Sequence, residues 1–417
     1  MMTPEKALEF LYGLQMFGIK LGLENIRTLL DSVEQPQNDY AIVHVAGTNG
    51  KGSVCAFLGQ IYRQAGYRVG VYTSPHLHRF NERITVNGQP IADSDLVALV
   101  DELHRLNPQV PATFFEFTTA LALLYFARQG VDLVFLEVGM GGRLDATNVV
   151  TPLVSVITPI SDDHGAYLGS SLEEIAAEKG GIIKPGVPVV IARQELSVQD
   201  VLLRQALASA ASSWCFGRDF NSQPLAQGCS VATPNRSWPL MQPGLPGAHQ
   251  CDNLAVALMV VELLDSSGWM ATEDVVMSAV RNTRWPGRLE WWDEQVLLDG
   301  AHNASGAQVL AQYLRDRQLT RIHWVAGFKA DKDMQAVVEA LRPYVVQAYC
   351  VDPPVEQAYP CRDVVRYLTE GGSKAAAWAT PAAGLAAARQ QCGENEIVVV
   401  AGSLFLVAAC RESLMTT

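Results

Sequence analysis

Residues 43–53 read Val-His-Val-Ala-Gly-Thr-Asn-Gly-Lys-Gly-Ser, a string that leaves the surrounding chain few ways to fold. The preceding apolar run, residues 41–46, has the unbroken hydrophobicity of a strand buried in a parallel sheet. Three glycines within the next six residues end it, and residues 53–64 then take on helical character. Strand, glycine-rich turn and helix together set backbone N–H groups at a helix N-terminus, where the unpaired donors and the dipole favour an anion. Gly47, Thr48, Asn49, Gly50, Lys51, Gly52 and Ser53 are therefore a candidate phosphate-binding loop, with Lys51 as mobile positive charge and Ser53 as a hydroxyl suited to Mg²⁺. The usual G-x-x-x-x-G-K-[ST] pattern is altered at two places: Val45 stands at its first glycine, and Gly52 separates Lys51 from Ser53. The alternative is a tight βα turn bearing a surface lysine.

At 417 residues the chain exceeds what one hydrophobic core serves, so two domains are expected, residues 1–286 and 287–417. A hydrophobic content of 49% with 18% charged residues is that of an ordinary soluble globular protein. The net charge of −12 excludes a broad nucleic-acid surface but not a local site for a small anion. The eight cysteines form no C-x-x-C pair, and no apolar run reaches the roughly 18 residues of a membrane span. Without a signal-peptide pattern, a reducing, cytoplasmic setting is expected, with neither nucleic acid nor membrane as partner.

Further along, three more strand ends carry chemistry. Strand 68–73 stops at Ser74-Pro75-His76, strand 131–138 carries Glu137, and strand 153–160 leads to His164. A carboxylate at the end of a buried strand is costly unless a cation or donor meets it, and magnesium prefers such hard oxygen ligands. Side chains converging at the strand ends of one sheet edge make an argument for a site. His76 and His78 lack a third ligand nearby and support no zinc site. Between helical stretches 93–106 and 117–129 lies Thr-Phe-Phe-Glu-Phe at 113–117, an aromatic cluster usually found in a core. Lys179 ends a polar amphipathic helix, 172–179, and by default lies on its surface. A helix follows from 249 to about 264, where Asp252 or Asn253 has the chemistry of an N-cap. Residues 194–240 contain a helix near 198–210 and then Gly-, Pro- and Trp-bearing strands or loops. After Pro286-Gly287-Arg288 a fresh alternation begins: strands 296–298, 322–327, 347–351 and 396–400, with helices 333–342, 362–369, 383–391 and 403–411. The fold expected is α/β: a P-loop-containing parallel-sheet ATPase domain, then a smaller Rossmann-like α/β domain.

GTNGKGS at 47–53, YTSPHL at 72–77 with Asn81-Glu82-Arg83-Ile84, and LEVGMGGRLDATN at 136–148 resemble the folylpolyglutamate synthase/dihydrofolate synthase family of the Mur ligase superfamily. The resemblance runs from about residue 10 to 411, in the same order. It implies ATP-dependent addition of L-glutamate to dihydropteroate or reduced folates through an acyl phosphate, by a monomer. It implies two Mg²⁺ ions held by Ser53, Ser74, Glu137 and His164, with Lys51, His164 and a carbamylated Lys179 as catalytic groups. ATP would be contacted by the loop and by Asn253, Arg288 and Asp299. The pterin-bearing substrate would be contacted by Phe115, Leu144, Asp145 and Ala146, and by Ile19, Lys20 and Leu21. Several places depart from the family pattern: the double acid Asp162-Asp163 and the pair Gly165-Ala166 flank His164, Ala304 follows Asn303 where proline is usual, and Pro353-Pro354-Val355 replaces Pro-Arg-Ala. A Mur-type peptide ligase acting on a nucleotide-sugar carboxylate, or a catalytically silent nucleotide-binding homologue, are the alternatives.

Overall fold

A computed structural model describes residues 3–14, 22–162 and 168–416. The chain divides into two compact units, residues 1–244 with 250–283, and residues 245–249 with 284–417.

The first unit is built on an eight-stranded sheet: β1 (Ala41–Ala46), β2 (Val69–Tyr72), β3 (Ile84–Val86), β4 (Gln89–Pro90), β5 (Leu133–Glu137), β6 (Val154–Ile157), β7 (Val189–Ile191) and β8 (Ser213–Cys215). Their spatial order is β4-β3-β2-β5-β1-β6-β7-β8. Strands β2, β5, β1, β6, β7 and β8 are parallel, whereas β3 and β4 form an antiparallel hairpin at one edge. β1 is central, and it pairs Val45 with Glu137 of β5, so both strands end at the same level. Buried on both faces, these strands show continuous apolar runs rather than alternation.

One face is covered by helices Pro4–Gly13, Glu24–Asp31, Asp93–Leu106 and Phe114–Arg128, which share a single apolar core with the sheet. Helix Phe114–Arg128 is almost wholly buried, and each large side chain such as Leu123 or Phe126 contributes about 1.5–3 kcal/mol by burial. It begins three residues before the expected 117. Thr113 and Glu116 form a capping box in which Thr113 Oγ1 accepts from Glu116 N at 3.3 Å and Glu116 Oε2 accepts from Thr113 N at 2.7 Å. Phe114 and Phe115 thereby enter the first helical turn. Further along the same face the sheet packs against helices Leu172–Gly180 and Leu196–Ala208, while helix Lys51–Gln64 lies on the other face, where Tyr62 meets Phe135. Within 194–240 the structure resolves what sequence left as strands or loops into β9 (Asn221–Leu225), β10 (Gly228–Ala232) and β11 (Ser237–Met241), a separate antiparallel sheet.

The second unit carries β12 (Glu290–Trp291), β13 (Val296–Leu298), β14 (Ile322–Ala326), β15 (Val345–Cys350), β16 (Ala375–Ala377) and β17 (Ile397–Ala401) in the order β12-β13-β17-β14-β15-β16. All pairings are parallel except β12 with β13. Four helices, Ala304–Asp316, Met334–Leu341, Cys361–Glu370 and Pro381–Gln391, connect the strands, and a fifth, Leu404–Met415, follows β17 and completes a doubly wound layer. Among the described residues no helix is long and apolar enough to cross a membrane.

Candidate active site

The glycine-rich loop leaves β1 and turns into helix Lys51–Gln64. Gly47 and Gly50 have φ of +142° and +91°, which residues with a Cβ rarely adopt. Space demands glycine as well: a Cβ on Gly50 would sit 2.5 Å from Asn253 Oδ1, and one on Gly47 would overlap the Thr158 side chain. The loop is pinned from β6. Thr48 N and Asn49 N donate to Pro159 O at 2.9 and 3.2 Å. Thr48 Oγ1 donates to Ser161 O at 3.0 Å and accepts from Ser161 N at 3.1 Å. No side chain caps helix Lys51–Gln64, so its first N–H groups remain for an anion.

Lys51 folds back over this turn, Nζ donating to Gly47 O and Thr48 O at 3.1 Å each and lying 3.9 Å from Glu137 Oε1. Glu137, at the end of β5, is 5% exposed, and its Oε2 accepts from Ser74 N at 3.0 Å. Ser74 directly follows β2 through Thr73 and precedes a cis Ser74–Pro75 bond. Phosphate loop, Ser74 and Glu137 therefore meet at the C-terminal ends of β1, β2 and β5, where α/β sheets place ligands. Ser74 and Ser53 offer hydroxyls and Glu137 a carboxylate, while among the described residues no group of three or more His, Cys, Asp or Glu is placed to hold a metal ion. That donor set fits Mg²⁺, which keeps several waters and shares phosphate oxygens rather than sitting in an all-protein cage.

Lys179 is not on the surface. It is 5% exposed, and Nζ donates to Gly47 O at 3.0 Å, the same carbonyl that receives Lys51. Close packing holds it there: a Cβ on Gly142 would approach Lys179 O to 2.6 Å, and Arg143 N donates to Glu178 O at 2.8 Å. Asn253 is not an N-cap either. Helix His249–Ser266 starts four residues earlier, and Asn253 is buried in its second turn. Its Nδ2 donates to Gln250 Oε1 at 3.0 Å, and Gln250 Nε2 donates to Ser53 Oγ at 3.3 Å. Gln250 escaped the sequence reading, although its i, i+3 spacing from Asn253 was the available signal.

Phe115 packs edge-on to Gly139, where any Cβ would overlap its ring, and lies 6.1 Å from Tyr72. Leu144 is half-buried and Ala146 buried. Asp145 is used by its own loop. Oδ2 accepts from Met140 N at 2.8 Å, and Oδ1 accepts from Thr147 N at 3.0 Å and from Thr147 Oγ1. Desolvation raises its carboxyl above the ordinary value, against the lowering by these donors. Thr147 Oγ1 in turn lies 2.8 Å from Nε2 of the fully buried His44, whose pKa desolvation lowers to about 3. His164, Ile19, Lys20 and Leu21 fall outside the described residues.

Arg288 and Asp299 belong to the second unit. Asp299 closes β13 and accepts from Leu289 N at 2.8 Å and Ala301 N at 2.9 Å. Burial raises its carboxyl, with Arg288 the largest opposing influence. The two residues thus lie in each other's field.

Family comparisons agree with this architecture. The Mur ligase middle domain matches residues 45–261, and the Mur ligase glutamate ligase domain matches residues 287–404. The chain is 35% identical to the dihydrofolate synthase/folylpolyglutamate synthase of Bacillus subtilis, over 98% of this chain and 99% of the relative. Its fold superposes on Escherichia coli FolC in complex with DHPP and ADP with a TM-score of 0.90, at 29% identity and 98% coverage of both chains. It matches a bifunctional folylpolyglutamate synthase/dihydrofolate synthase with Mn, AMPPNP and L-glutamate bound with a TM-score of 0.87, at 29% identity and 98% coverage of both chains. With these matches spanning both units, the chain belongs to the dihydrofolate synthase/folylpolyglutamate synthase family of Mur ligases.

Proposed function

We propose that this chain is a cytoplasmic, monomeric ATP-dependent ligase that adds L-glutamate to dihydropteroate and to tetrahydrofolyl-(poly)glutamate, releasing ADP and phosphate. The observation that carries this reading is the meeting of the phosphate loop, Ser74, Glu137 and Lys179 at one end of the first sheet. The printed ligands of its relatives, DHPP with ADP and AMPPNP with L-glutamate, support the same substrate classes.

A carboxylate is a poor electrophile at neutral pH, so the acid is first phosphorylated. Its oxygen takes the γ-phosphoryl group of ATP and ADP leaves; the glutamate amine then attacks the acyl carbon, expelling phosphate and a proton. The loop N–H groups and Lys51 hold the phosphates and offset charge gathering on the transferring group. Magnesium, held by Ser53, Ser74 and Glu137, would supply Lewis-acid polarisation of the phosphoryl oxygens. Asn253, Arg288 and Asp299 would contact the nucleotide, while Phe115, Leu144, Asp145 and Ala146 would border the pterin-bearing substrate. Lys179 is read as a carbamate: its neutral amine attacks CO₂, loses a proton, and exchanges a positive charge for two hard anionic oxygens near the loop.

The test is ATP- and Mg²⁺-dependent phosphate release with dihydropteroate, tetrahydrofolate or a muramyl substrate, with and without glutamate. Glutamate-dependent release with both pterin acids is the expected outcome. Release only with the muramyl acid would favour a peptide ligase, and none with any acid a silent homologue.

A further inference from the structure

The segment Asn81-Glu82-Arg83-Ile84 enters no step above, yet it delivers a buried cation to the wall of the site. Arg83 closes the 3₁₀ turn Phe80–Arg83 before β3 and is 8% exposed. Its carbonyl accepts from Thr73 N at 3.0 Å, which fixes its backbone beside the strand end that carries Ser74. Its Nε donates to His76 Nδ1 at 2.8 Å, and its guanidinium carbon lies 5.3 Å above the Phe114 ring. One face of the guanidinium and one of its edges are thus occupied.

Nearby acids are committed elsewhere. The Glu82 carboxylate accepts from Leu77 N at 2.7 Å, His78 N at 3.1 Å and Arg79 N at 2.9 Å. Glu137 is taken up by Ser74 N and Lys51. Among the described residues no carboxylate comes within ion-pair distance of Arg83. A desolvated cation whose nearest carboxylates, Glu137 and Glu82, act only from beyond ion-pair distance is costly, and the two-pronged Nη edge of arginine matches a carboxylate. Aromatic rings extend from it: Phe114 is stacked on Tyr12 at 5.9 Å and meets Phe80 edge-on at 6.1 Å.

We propose that Arg83 receives the carboxylate of the acyl substrate, the group to be activated, with the adjoining aromatic wall taking the substrate's ring. His76 acts as a positioning residue that turns the guanidinium fork toward the site. The inference rests on the ligase reading above and adds a specificity element to it.

Equilibrium binding of two probes to the full chain, dihydropteroate and its decarboxylated analogue, tests this alongside turnover. Arg83→Gln and Arg83→Lys are expected to weaken dihydropteroate roughly ten- to hundredfold and leave the decarboxylated analogue within about twofold of wild type. KM for ATP should stay unchanged. His76→Gln, which keeps an acceptor, should bind the acid more tightly than His76→Ala. Equal losses for both probes, or no loss for the acid, would overturn the proposal. If Arg83→Gln does not fold, Arg83→Lys decides on the same criterion. Failure of the ligase reading is distinguishable, because wild type itself would then bind and turn over neither pterin acid.

Discussion

The side-chain nitrogen of Lys179 and the carbonyl of Gly47 meet at 3.0 Å although they are 132 residues apart in the chain. A helix that reads as solvated in sequence thereby contributes its last charged side chain to the underside of the phosphate loop. Lys179→Ala is expected to keep its far-ultraviolet dichroism and lose turnover by about a hundredfold or more, with partial recovery on adding small carboxylates. A carbamate carbon resonance from labelled bicarbonate should be present in wild type and missing from the variant. Full activity in the alanine variant would remove Lys179 from the chemistry.

Lys51 reaches both the loop carbonyls and the edge of Glu137. Replacing it with alanine should lower kcat/KM by an amount equivalent to about 3–5 kcal/mol of transition-state stabilisation. Phosphate-release kinetics on a variant with an unchanged melting curve checks this. Turnover like that of wild type would mean the loop holds no phosphate.

Gly50 has left-handed φ and stands against Asn253. Gly50→Ala meets both strain and contact, and should destabilise the protein by about 1–2 kcal/mol while weakening nucleotide binding. Urea midpoints and nucleotide titration measure the two effects. Combining it with Asn253→Ala, which relieves the contact but not the φ strain, should recover only part of the stability.

His44 gives the first unit a specific acid response. Its pKa in the folded chain falls to about 3 from an ordinary 6.5 because burial opposes the charged form. Between those values the unfolded chain binds a proton that the folded chain does not, so stability increases with pH there. Acidification below 6.5 should therefore cost about 1.4 kcal/mol per pH unit from this group alone, levelling off near the folded value. Chemical unfolding of wild type and His44→Asn at several pH values checks it: identical slopes would mean the folded protein accommodates the proton.

What could be read from sequence was what local pattern encodes. The run 41–46, the glycines after it, and Ser74 and Glu137 at strand ends are each specified by their immediate neighbours, and the structure brings them together. Gln250 was missed because its meaning is a distant partner, Ser53, while Arg83 was visible only within its motif because its setting is made by Thr73, His76 and Phe114 together. The sheet β9–β11 was obscure because Pro224 and Pro239 interrupt two of its short strands, and β9 has little apolar content. β16, an alanine triplet, carries a helix-forming composition that its pairing with β15 overrides. The aromatic start of helix Phe114–Arg128 lay in a Thr-x-x-Glu signature that a search for hydrophobic period alone passes over.

The bond from Gln250 to Ser53 closes a gap of 197 residues. During synthesis the phosphate loop leaves the ribosome long before the side chain that braces its serine exists. Closing so long a span is entropically unfavourable and slow. The brace on Ser53 therefore forms only after the chain has reached helix His249–Ser266, late in the completion of the first unit.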